Sequence, residues 1–353
     1  MNKPFLILLV VGLVSCSSED AQLPPGGGQG GGTTNQDWLI PVAEVFDGGP
    51  GRDGIPSLSN PDLLEASQTD FLFDDELVLG YYNGETAIAF PHQILDWHEI
   101  INQRVNSSSI VITYCPLTGT GIGLSQEIDN QKTEFGVSGL LYNNNLIAFD
   151  RNTQSNWSQM TLKAVNGPLI GVEMPTFKLV ETQWAVWKAM YLDTKVVSTD
   201  TGWDRPYGVY PYGDFKTNNN NLFFPLSNDD PRLERKERVH GVLIDGKAKV
   251  YRFGSFESNN SLIMDSFEGE DIVVVGNRSD FMVSFFATLS DGSKPNFSAI
   301  DEGRAVLADD QGNKWDVFGF PVSGPTPLQS TQSFMGYWFA WGAFYPNPEI
   351  YGL

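Results

Sequence analysis

The chain has little of what reactive sites are usually built from. It holds two cysteines and three histidines in 353 residues. Two Cys exclude a disulfide-stapled scaffold and any cysteine-rich zinc module. Three His leave room for one small metal-ligand set at most. There is no Walker loop, no His-Glu-x-x-His and no Gly-x-Ser-x-Gly elbow. Charge is sparse and one-sided: 18% of residues are charged, 22 basic against 43 acidic, for a net charge of −21. That excess of acid disfavours DNA, RNA and anionic head groups, so no nucleic-acid partner is expected. What the chain has in quantity is Gly (36), Pro (21) and aromatic residues (12%), with 41% hydrophobic residues overall. This is the composition of a folded chain with many turns and short elements.

One apolar run stands out. Phe5 to Val14 follow Lys3 and end in Leu13-Val14-Ser15-Cys16. Ten residues are too few to span a bilayer of about 30 Å as a helix. Residues 1–15 read as a secretory signal, and the run into Cys16 resembles a bacterial lipobox, which makes Cys16 the lipidated first residue. Residues 16–37 follow as a tether rich in Gly, a composition that gives flexible chain. Residues 1–15 contain one Lys and no acid, so the mature chain carries 21 basic against 43 acidic side chains, net −22. The expectation is a lipoprotein of the bacterial cell envelope, anchored in the outer membrane. The acids Glu19 and Asp20 after Cys16 resemble a surface-export signal. Membrane contact is expected through the lipid alone, because an acidic domain stands off an anionic surface.

The chain repeats itself. Val78-Leu79-Gly80 with the turn Asn83-Gly84 matches Val239-His240-Gly241 with the turn Asp245-Gly246, each in the form of a hairpin. Ser109 to Ile112 matches Asp271 to Val274. Trp184, Trp187, Ala189 and Tyr191 recur as Trp338, Trp341, Ala343 and Tyr345. Such order points to two related lobes from an internal duplication: residues 38–201, a connecting segment 202–236, and a second, degenerate lobe 237–353. Most segments are short, β-branched and bounded by turns, so the fold class is mainly β with a few helices, an α+β arrangement. Val180, Trp184, Trp187 and Tyr191 have helical spacing, as do Phe334, Trp338, Trp341 and Tyr345, and read as a core-facing helix closing each lobe. Pro91 to Arg104 reads as a further helix, and the charged run Arg232 to Arg238 as a solvated face.

Five motifs occur in order: Gly48-Gly49-Pro50-Gly51-Arg52-Asp53-Gly54-Ile55-Pro56, Leu95-Asp96-Trp97-His98-Glu99-Ile100, Thr113-Tyr114-Cys115-Pro116-Leu117-Thr118-Gly119-Thr120, Phe135 to Asn143, and Asp150 to Trp157. Together they resemble the bacterial domain-of-unknown-function family numbered 3179, over roughly residues 45–350. The resemblance implies a fold but no reaction. The family's third motif usually has Cys-Pro-Leu-Cys; here Thr118 takes the second Cys position, so a redox or metal-binding Cys pair is not available.

Three readings of Cys115 and His98 stay open. In the first they are metal ligands, with Glu99 as ligand or support and His92 as a weaker ligand; thiolate with imidazole suits copper or zinc. In the second Cys115 is an enzyme's nucleophile and His98 its base, oriented by Glu99 or Asp150, with backbone amides of Gly119 to Gly121 aimed at the reacting group. In the third both are buried structural residues, and the chain is a cell-surface interaction protein without catalysis. The Cys/His set has no counterpart in the second lobe, which places a specialised site in the first. Asp150 otherwise caps a turn. Tyr207, Tyr210 and Tyr212, between prolines, read either as packing or as a platform for a glycan or protein partner.

Overall fold

The computed structural model describes residues 37–353 apart from Asp129, so the signal, Cys16 and nearly all of the tether lie outside the described residues. The described residues are mainly β, with 42% strand and 9% helix. Alternating β-branched residues between Asn and Gly turns make the strands. At Asp245-Gly246 both turn residues take positive φ, 51° and 75°, which fits the right-handed twist of the hairpin they join. Asn143 and Asn144 do the same at 50° and 61°. No helix of the described residues is long and apolar enough to cross a membrane.

Residues 38–201 build three main sheets. In the first, Leu77–Tyr82 lies between Val180–Gln183 and Ala87–Pro91, and Lys195–Val197 runs parallel to Ala87–Pro91. The second is centred on the antiparallel run Ile100–Val105, Ser108–Cys115 and Thr120–Ser125. The third is centred on Phe135–Tyr142, Asn145–Asp150 and Asn156–Ser158. Residues 237–353 show the same order. Arg238–Ile244 lies between Gln332–Tyr337 and Lys247–Arg252, with Glu349–Ile350 parallel to the latter. Ser261–Phe267, Glu270–Gly276 and Met282–Phe286 follow, then a sheet from Phe297–Glu302 to Pro321–Ser323.

The described residues also form three α-helices of seven residues, α1 (His92–His98), α2 (Trp184–Met190) and α3 (Trp338–Phe344), and three short 3-10 turns. Two expectations need correction. The helix from Pro91 stops at His98, and Ile100–Val105 is a strand, because its β-branched residues pair with Ser108–Cys115 and tertiary pairing outweighs local periodicity. Val180 and Phe334 are likewise in strands, not on the helices that follow.

Each tryptophan helix stands over a glycine. Gly80 pairs with Val180 and Gly241 with Phe334, seven residues before Trp187 and Trp341 respectively. A Cβ on Gly80 would come within 2.2 Å of the Trp187 ring, and one on Gly241 within 2.1 Å of Trp341. Each helix packs over strands of its own half and also reaches the other half. Val180, Trp184 and Trp187 share a core with Val273, Val283, Phe285, Trp315 and Phe318 of the second half. Phe334, Trp338 and Trp341 share one with Cys115, Ile122, Phe135, Leu146 and Trp157 of the first. The described residues accordingly form one compact unit.

Gly80→Ala and Gly241→Ala should each cost about 2–3 kcal/mol in urea unfolding, the range for overpacking a core. Trp187→Leu added to Gly80→Ala should recover part of the loss. A Gly80→Ala chain as stable as wild type would show that the indole does not rest on the glycine.

Candidate functional site

Two of the motifs noted above, Leu95 to Ile100 and Thr113 to Thr120, meet in three dimensions. Pro91 ends its strand in extended geometry (φ −64°, ψ 136°) and caps α1. At Glu99 the backbone turns to φ 56°, ψ −32°. Positive φ at a non-Gly residue costs on the order of 1–3 kcal/mol and persists only where surroundings enforce it. Here they do: the Glu99 amide donates to Leu95 O at 2.8 Å, and its carbonyl accepts from the Tyr114 amide at 2.7 Å. The buried carboxylate accepts the Tyr212 hydroxyl at 3.1 Å. One turn earlier, Asp96 Oδ2 accepts from Lys216 Nζ at 2.9 Å, while its buried Oδ1 has no partner.

Burial, opposed by Lys216, pushes the Asp96 carboxyl up to about 6. Burial, opposed by the Tyr212 hydrogen bond and assisted by Asp96, pushes Glu99 up to about 7. Tyr212 in turn is held well above the usual phenol range by burial and by Glu99. Residues 202–236 supply these partners by running across α1 and the end of Ser108–Cys115.

The tyrosines of that segment form no exposed platform, because their hydroxyls point inward. Tyr207 meets His98, Tyr210 donates to Pro116 O at 3.1 Å, and Tyr212 meets Glu99. The charged run is not a solvated face throughout. Arg232 and Arg235 pair with Asp230 and Asp229. Lys236, though, turns inward, donating to Phe215 O at 2.8 Å with its Nζ 2.9 Å from the Phe215 ring centroid. Arg238 reaches across to the buried carboxylate of Glu181 in the first half. The opposite half also lends Tyr337, whose ring lies 5.6 Å from the Arg238 guanidinium. Gly119 sits where a Cβ would come within 3.0 Å of Arg238, and takes φ 61°. The polar centre therefore belongs to both halves and to the segment joining them.

The expected site residues are placed as follows. His98 is fully buried, with Nδ1 2.7 Å from Pro56 O and Nε2 2.6 Å from the Tyr207 hydroxyl. A carbonyl can only accept, so Nδ1 carries the proton and Nε2 accepts from Tyr207. Burial lowers its pKa, which keeps the ring neutral. Cys115 is buried, its Sγ 3.5 Å from Asn144 O. Burial and the nearby Glu99 push the thiol up to about 11, so it is not ionised near neutrality. Cys115 and His98 make no hydrogen bond to each other. His92 packs its ring 4.4 Å from that of Tyr114, with Nε2 3.4 Å from Glu181. Burial, then Lys216 and Arg238, lower its pKa far enough that this approach is between a neutral ring and a carboxylate.

Gly119 donates its amide to Cys115 O at 2.8 Å, so it is not aimed at a reacting group, and Gly121 lies opposite Tyr114 in the sheet. Asp150 caps its own turn, accepting from the Thr153 amide at 2.6 Å and Trp157 Nε1 at 3.0 Å. Among the described residues, no three or more His, Cys, Asp or Glu side chains are grouped to hold a metal ion.

Two further motifs meet away from this centre. Arg151 forms a two-pronged pair with Asp53 at 2.9 Å, and Arg52 lies 4.3 Å over the Phe149 ring while donating to Asn156. Sequence reasoning missed Asp96, Glu181, Lys216, Arg238 and Tyr337 as site residues. Asp96 lay inside a quoted motif. The others carry no local signal, because each is defined by a partner far along the chain.

Fold and site together define a mainly-β protein with a buried ionisable centre where its halves meet. A family model described as "Protein of unknown function (DUF3179)" matches residues 52–348, and the chain belongs to that family. No curated protein and no solved structure matches it.

The raised carboxyl at Glu99 fixes a sign for stability against pH. The folded chain holds this proton up to about pH 7, the unfolded chain to about pH 4.5. Its contribution is full below pH 4.5 and is lost as pH rises through 7, by up to about 3 kcal/mol. Glu99→Gln should therefore be more stable than wild type at pH 8 and no more stable at pH 4. Urea unfolding of both chains at the two pH values checks this, and equal differences at both would refute it.

Proposed function

We propose that this chain is a lipid-anchored envelope protein, held through Cys16, whose folded part is an acid–base centre working on a small polar ligand. Glu99 is the proton-transferring group, Tyr212 its hydrogen-bonding partner, and the Asp96–Lys216 pair the adjacent charge. The observation that carries this is the pairing of two buried carboxyls on one turn, Asp96 and Glu99, both pushed into the range from about 6 to about 7. Proton transfer is most efficient when the group's pKa lies near the working pH, and perturbed groups of this kind collect at functional sites. The positive φ of Glu99 adds support, since strained backbone is retained where function needs it. Lys216 is partly exposed, so the centre has a side open to solvent.

Metal handling and thiol catalysis draw less support. A metal at His98 would have to displace Pro56 O or Tyr207, and a nucleophile at Cys115 would lack both a base and an accessible thiolate. The duplication read from the sequence draws support from the like strand order of the two halves and from the Gly80/Trp187 and Gly241/Trp341 pairs.

Two experiments test the proposal. Wild type and Glu99→Gln would each be incubated with a small-molecule extract of bacterial cells and followed by mass spectrometry. At least one compound should be consumed by wild type, with a rate that bends near pH 7, and at least a hundredfold more slowly by the variant. Identical profiles from two folded chains would overturn the acid–base assignment. Separately, a palmitate analogue fed to expressing cells should label the wild-type chain and not Cys16→Ala; equal labelling would remove Cys16 as the anchor.

A further inference from the structure

We propose that Lys178 is a covalent binding site for a small hydroxylated aldehyde or ketone, held as an imine in a cavity between the two halves. This site is separate from the Asp96–Glu99 centre. Lys178 stands between Thr176–Phe177 and Val180–Gln183 and lines a cavity of about 310 Å³. Thr176, Ser330, Thr331 and Gln332 line the same cavity, with Phe177 among its apolar walls. That volume suits a small ligand, and a few polar groups on an apolar wall suit one with hydroxyls.

The amine is poorly held for a lysine. Its Nζ lies 3.4 Å from Ser284 O and from Ser330 Oγ, both at the long limit of a hydrogen bond, and 3.8 Å from the Phe285 ring centroid. It forms no ion pair among the described residues. The charged and titratable groups facing it are Asp316 and His240. Asp316 favours its charged form from a distance but less than burial opposes it, and Lys178 is pushed down to about 7. His240 is buried beyond Ser284, with Nε2 2.9 Å from Ser284 Oγ, and burial followed by Lys178 holds it down to about 3, so it adds no charge. Near neutrality a large fraction of Lys178 is therefore uncharged amine, the form that attacks carbonyl carbon.

The reaction balances without an oxidant. The Nζ lone pair bonds to the carbonyl carbon, and the C=O π pair moves to oxygen, which takes a proton from nitrogen. The hydroxyl then leaves as water with the second amine proton, as the nitrogen lone pair closes the C=N bond. Ser330 Oγ, already beside Nζ, is placed to relay that proton.

The full chain would be incubated at pH 7 with glycolaldehyde and cyanoborohydride, which reduces an imine to a stable secondary amine, and each lysine quantified by peptide mass spectrometry. Lys178 should be labelled at least tenfold faster than exposed Lys132 and Lys163. Labelling no faster than those two would overturn the site, and this comparison lies within one folded wild-type chain. Replacing glycolaldehyde with propionaldehyde should slow labelling of Lys178 severalfold. Gln332→Leu should narrow that preference. Equal rates for the two aldehydes in wild type would overturn the hydroxylated class of ligand.

Discussion

The structure depends on tryptophans that pack against strands of both halves at once. Trp184 and Trp187 fill a core walled by Val78, Ala89 and Val196 of the first half and by Val283, Phe285 and Trp315 of the second, and Trp338 and Trp341 fill one walled by Val239 and Val250 of the second half and by Ile122, Phe135 and Trp157 of the first. Fully burying one large side chain contributes on the order of 1.5–3 kcal/mol, and here the largest apolar side chains sit across the boundary. Each half also keeps a core of its own, around Phe90, Ile94 and Ile112 in the first and around Val242, Tyr251 and Ile272 in the second. Glycine makes this packing possible, because Gly80 and Gly241 let an indole rest on the strand where any Cβ would collide with it.

The packing of the halves against each other also bears on where the ionisable groups are. Two β halves that interpenetrate enclose a seam, and side chains carried into it lose water. Loss of water favours the neutral form of every group, so carboxyls and thiols rise while amines and imidazoles fall. Asp96, Glu99, Cys115, His92 and Lys178 all move as that rule requires. Partners then moderate it: Lys216 for Asp96, Tyr212 for Glu99, Arg238 for Glu181. The segment 202–236 matters because it brings Tyr207, Tyr210, Tyr212 and Lys216 to α1 and the Cys115 loop, a distance no local element could span.

Much of the fold was legible in the residues. Turn chemistry placed the hairpins at Asn83-Gly84 and Asp245-Gly246, where positive φ or a side-chain-bonded turn selects these residues. The motif Leu95 to Ile100 pointed to the region of the site. The length of α1 was not legible, because Ile94, Trp97, His98 and Ile101 satisfy helical spacing while Ile101 satisfies strand pairing with Ile112 equally well. Nor was the direction of Lys236 and Arg238, since a run of charges looks solvated until its buried acceptors are known.

The sequence alone determined the β character, the turn positions and the recurring tryptophans, because these follow from steric limits on single residues and from local periodicity. The tertiary structure decided which core each tryptophan enters, which residue neutralises each buried charge, and whether Cys115 and His98 meet. Those outcomes depend on distances between residues far apart in the chain, and on how much water remains between them. Neither quantity is written into any local stretch of sequence.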